Sequence, residues 1–74
     1  RFKDLSREYI EVVKRLLELS REALEVLREI KDTDKTDKKR IKELIDRLRK
    51  LIEEYKRIID RLRKLSKDLE EEHR

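Results

Sequence analysis

The chain has 74 residues, room for at most one small domain, and consists almost wholly of helix formers: 57% charged, 35% apolar, with no Gly, Pro, Cys, Met or Trp. Without Cys there is no disulfide or thiolate site. With 23 basic against 19 acidic residues, the net charge of +4 is low for a disordered chain. No apolar run exceeds two residues, which leaves no bilayer span or signal peptide and predicts a soluble chain suited to cytoplasmic recombinant expression.

The first predicted element is an amphipathic helix over about residues 2–32. Phe2, Leu5, Tyr9, Val12, Leu16, Leu19, Ala23, Val26 and Ile30 alternate spacings of three and four, as the a and d positions of a heptad do. A second row, Ser6, Ile10, Val13, Leu17, Ser20, Leu24 and Leu27, fills the e and b positions and widens the apolar arc to roughly 150°. The outer face is ordered too. Every c position is acidic (Asp4, Glu11, Glu18, Glu25) and every f position basic (Arg7, Lys14, Arg21, Arg28), which places opposite charges three and four apart along the helix.

The stretch KDTDKTDKK is the polar segment long enough for a turn, predicted at about residues 32–36. Thr36 is the expected N-cap of the next helix, with Asp37 in its first turn complementing the helix dipole, and Asp34 is the second candidate.

The second helix is expected over about residues 37–72. Ile41, Leu44, Leu48, Leu51, Tyr55, Ile58, Leu62, Leu65 and Leu69 take a and d, with Ile45, Ile52, Ile59 and Ser66 at e. Its b column is Lys42, Arg49, Lys56 and Arg63, so the apolar arc is only about 100° wide. IDRLRKL occurs at 45–51 and again, unchanged, at 59–65, and LSRE recurs at the same two-heptad interval in the first helix. That interval returns the same side chains to the same face of a supercoiled helix. Each a-to-a core spans about 42 Å at the helical rise, so the two halves match end to end when folded back. The predicted fold is therefore all-α: an antiparallel helix-turn-helix hairpin that assembles into a coiled-coil-like helical bundle.

One hairpin buries one seam and leaves the b/e row wet. Ile10, Val13, Leu17, Leu24, Leu27, Ile45, Ile52 and Ile59 are thus the expected oligomer interface, and full burial of these eight is worth at most about 12 to 24 kcal/mol. Closed symmetric assemblies are the common way to cover such surface. Three hairpins put three copies of the wide-arc first helix inside and three of the second outside, so a homotrimer is favoured and a homodimer, a four-helix bundle, comes next.

Residues of types that carry chemistry elsewhere point here to structure. Ser6, Ser20 and Ser66 at e, with Tyr9 and Tyr55 at a, are candidates for buried polar contacts, Ser6 and Tyr9 for a shared one. No base neighbours these serines; the only histidine is His73, beside the chain end, so no catalytic residue is assigned and no enzyme is expected. The carboxylate groups Glu53/Glu54 and Glu70/Glu71/Glu72 point around the helix rather than together, which predicts no metal site and no cofactor. The KKRIK run at 38–42 and the basic b column raise nucleic-acid or anionic-membrane binding. Interleaved acids at Glu43, Asp46, Glu53 and Asp60, and the lack of an aromatic to stack a base, weigh against it.

With its repeated heptad pair, single-sign charge columns and missing Gly, Pro, Asn, Gln, Cys and Met, the whole chain resembles computationally designed helical hairpins that assemble into four- or six-helix bundles, more closely than any natural family. The resemblance implies a structural self-assembly module with copies of itself as partner. Alternatives are one partner of a designed heterodimer, or a basic helical module on an anionic polymer or membrane. Its departure from that style is a turn without Gly, where such hairpins usually place one at the helix C-cap.

Overall fold

The computed structural model describes residues 2–73, with side chains for residues 3–72; Phe2 and His73 lie outside the described side chains. Two helices, α1 (Phe2–Asp32) and α2 (Lys38–His73), fold back on each other as an antiparallel all-α hairpin about 58 Å long and 15 × 13 Å across. No strand occurs among the described residues, and no helix is long and apolar enough to cross a membrane.

The turn works without Gly because no described residue needs a positive φ. Thr33 instead closes α1: its hydroxyl donates to the Glu29 carbonyl at 2.6 Å and its amide to the Ile30 carbonyl at 3.3 Å. Asp34 then folds the chain over. Its Oδ1 accepts from the amide of Thr36 at 2.9 Å and from the Thr36 hydroxyl at 2.8 Å, and its carbonyl accepts from the Asp37 amide at 3.0 Å.

The N-cap is Asp37, not Thr36 or Asp34. Asp37 Oδ1 accepts from the Arg40 amide at 3.2 Å and the Asp37 carbonyl accepts from the Ile41 amide at 3.1 Å, the pattern of a side chain satisfying a free first-turn donor. The Thr36 side chain is instead held back toward Asp34 by the hydrogen bond its hydroxyl donates there, and no first-turn amide among the described residues donates to it.

The buried core consists of Leu19, Val26, Leu44, Leu51 and Leu65, all at d, with Ala23, Ile30, Leu48 and Ile58 packed against it. The a side chains that the structure describes are only half-buried, and Tyr55 at a is 40% exposed. Each helix is thus rolled so that d points at its partner, with a on one side of the seam and g on the other.

The g side carries a ladder of charge. Arg15 donates through Nε at 3.2 Å and Nη2 at 2.8 Å to Glu54 Oε1, Arg40 Nη2 donates to Glu29 Oε2 at 3.0 Å, and Arg61 donates to Glu8. The rungs step by seven in opposite directions along the two helices. Glu22 and Arg47 hold the remaining rung in sequence but do not pair with each other; Glu22 instead lies 3.9 Å from Arg15 on its own helix. All four rungs pair opposite signs in this register. Sliding α2 one heptad one way sets Glu8 against Glu54 and Arg15 against Arg47; the other way sets Arg15 against Arg61 and Glu22 against Glu54. Each exposed pair adds little stability, but like charges in both slipped registers disfavour the alternatives.

Candidate interface

Opposite the g ladder the hairpin presents one continuous apolar face. A helical wheel places a, e and b in succession on the far side of d from g, so these columns from both helices share a side of the hairpin. The exposed large apolar residues lie there: Ile10 54%, Leu17 58%, Leu24 60%, Leu27 48%, Ile45 42% and Ile52 46%, joined by Tyr55. Val13 and Ile59, grouped with them by spacing, are half-buried.

These residues are about half-covered by the hairpin itself, so the sequence bound on their burial is too high by about a factor of two. Completing the burial of seven side chains is worth about 5 to 10 kcal/mol. That remains comparable with the whole stability of a small domain.

The face is shaped as well as apolar. Ala23, the smallest of the a residues, leaves a dent of about 100 Å³ bordered by Leu19, Ser20, Leu51, Ile52 and Tyr55. Its walls are nearly all carbon, so it suits an apolar side chain from above. Farther along α2, Tyr55 and Ile59 share a shallow hollow with Lys56 and Arg63 of the basic b column and with Asp60 one column beyond, so the b column lies at the border of the apolar surface with carboxylates just outside it.

No serine–tyrosine network forms within the hairpin. Ser6, Tyr9 and Ser66 are half-buried and make no hydrogen bond among the described residues; Tyr55 is exposed, and exposed Ser20 bonds back to the Leu16 carbonyl at 3.0 Å. Ser20 thus takes the carbonyl one turn back, the local partner open to a serine within a helix. None of these groups stands beside a base, and no cluster of three potential metal ligands occurs among the described residues.

Electrostatics act mostly at the ladder and the turn. The Arg15 guanidinium is held above its ordinary range, first by its hydrogen bond to Glu54 and then by that to Glu18 at 3.1 Å. Asp34 is held below the usual carboxylate range by the Thr36 amide and then its hydroxyl. Neither group lies on the apolar face.

Reading the sequence through a, d, e, b, c and f overlooked the g column. Its signal was available: Glu8, Arg15, Glu22 and Glu29 read against Arg61, Glu54, Arg47 and Arg40 are opposite in sign at every rung of an antiparallel pairing. Comparison with protein-family models, curated proteins and solved structures gives no match to the chain.

Proposed function

We propose that the chain is a structural assembly module without catalytic activity, whose a/e/b face is covered by amphipathic helices of further chains in a multi-helix bundle. One observation carries this reading: six aliphatic side chains, each 42% to 60% exposed, line a single face while the opposite side is closed by ion pairs. An apolar surface of that continuity marks an interaction site. Its recurrence every seven residues suits helices that insert side chains between its rows.

Copies of the chain itself supply such helices. The wider apolar arc of α1 then favours a homotrimer with α1 inside over a homodimer, in line with the likeness to designed self-assembling hairpins. A different helical chain covers the same area equally well. An anionic polymer is a poorer occupant, since the face is apolar and the basic columns lie only at its borders.

Light scattering on the purified chain at about 1 M NaCl tests the class of function. The expected result is a mass above the 9.2 kDa of one chain, falling back to one chain when Leu17 is replaced by Glu. An apolar interface survives such salt whereas phosphate contacts do not. A fully helical monomer at every salt and concentration, taking up no helical partner, would overturn the reading.

A further inference from the structure

The two long borders of the apolar face carry charge of one sign. Beyond Ile10, Leu17 and Leu24 on α1 runs the f column, Arg7, Lys14, Arg21 and Arg28; beyond Ile45, Ile52 and Ile59 on α2 runs the b column, Lys42, Arg49, Lys56 and Arg63. All eight are exposed. Carboxylates stand one column farther from the face, where Glu11 meets Lys14 at 3.6 Å and Asp46 meets Arg49 at 4.0 Å. Glu70, the next b residue toward the C-terminal end of α2, is the one acid on either border.

When two apolar faces close on each other, their borders meet at the rim of the contact. Apart from Glu70, two copies of this chain have only basic borders to offer. Setting α1 border to α1 border, α1 to α2, or α2 to α2 puts Lys and Arg against Lys and Arg along all but that end of α2. Such like-charge contact acts against self-association and in favour of a partner of opposite sign.

The g ladder is the contrast within the same molecule. Where the chain pairs with itself, opposing columns match sign for sign at every rung; at the open borders no complementary column exists. We infer that the occupant of the apolar face is a second chain, an amphipathic helix or helix pair with acidic flanks, rather than another copy of this one. This inference rests on the assembly reading and replaces the self-partner in it. An anionic membrane shares the charge requirement, but it does not call for apolar rows at heptad spacing or for the dent at Ala23.

The test uses the whole chain and three probes: a peptide of about four heptads with Leu and Ile at a, d and e and Glu at the flanks; the same peptide with Lys at the flanks; and phosphatidylglycerol vesicles. The acid-flanked peptide should bind at least about tenfold tighter than the base-flanked one at about 0.05 M NaCl, and the gap should close near 1 M, where the Debye length falls to roughly 3 Å. Self-association of the chain alone should strengthen over the same rise in salt. The joint variant Lys42→Gln, Arg49→Gln, Lys56→Gln and Arg63→Gln, its helicity checked by circular dichroism, should lose a clear part of the peptide preference, the α1 border keeping the rest, and self-associate more readily at low salt. Tight self-association at low salt with no peptide preference overturns the inference and leaves the assembly reading standing. Binding of vesicles alone, or of nothing, with no self-association at any salt, overturns both.

Discussion

Leu17→Glu separates a hairpin that is finished on its own from one that is half of an interface. Leu17 is 58% exposed in the hairpin, so truncating its packing costs the isolated chain no more than about 1 kcal/mol. A Glu there stands four residues before Arg21 and regains about 0.3 kcal/mol from that helical pair. The monomer should therefore melt within a few degrees of the parent. In an assembly the remaining burial, about 1 to 1.5 kcal/mol, is lost and a carboxylate must be desolvated among Ile10, Val13 and Leu24, a further several kcal/mol. Together these exceed about 4 kcal/mol, roughly a thousandfold in association. The measurement is sedimentation velocity across a concentration series, with the chain's own copies at high salt and with the acid-flanked peptide at low salt, alongside thermal melts. Glu25→Gln is the matched control: it is exposed on the acidic c column, has no hydrogen bond among the described residues, and should change either quantity by no more than about 0.5 kcal/mol. Glu18 is less suitable because it accepts from Arg15. An association constant within tenfold of the parent for Leu17→Glu would refute the assignment of this face.

Leu44→Ala removes a d side chain only 1% exposed and should cost about 2 to 5 kcal/mol in a denaturant titration of the monomer, far more than the same change at half-exposed Leu24. Asp37→Ala should cost about 1 kcal/mol through loss of the α2 cap, and Thr36→Ala distinctly less; equal losses would return the cap to Thr36. For the ladder, Arg15→Glu should lower the melting temperature and Glu54→Arg added to it should restore most of the loss, whereas additive losses would show that the pair does not set register. Asp34 has its folded pKa depressed, so its hydrogen bonds to Thr36 contribute stability that is full above the unfolded value of about 3.9 and is lost as pH falls through the lower folded value. Asp34→Asn should flatten that acid limb of a pH-dependent melt, and an unchanged limb would assign it to other carboxylates.

Heptad spacing by itself determined the two helices, the place of the turn and the angular width of each apolar arc, because the period of a helix converts residue number directly into direction around its axis. It also marked eight side chains as lying outside the hairpin seam; the structure leaves Ile10, Leu17, Leu24, Leu27, Ile45 and Ile52 exposed and half-buries Val13 and Ile59. What spacing cannot supply is the rotation of one helix against the other. The a and d rows are equally apolar in sequence, yet only d residues are fully buried, with the paired g columns on one side of the seam and the a residues on the other. That roll turns a, e and b outward together and makes one face of what the sequence presents as separate rows. The cap was likewise decided in three dimensions: Thr36 and Asp37 are both competent acceptors, and the hydrogen bond from Thr36 back to Asp34 leaves Asp37 to hold the first turn of α2.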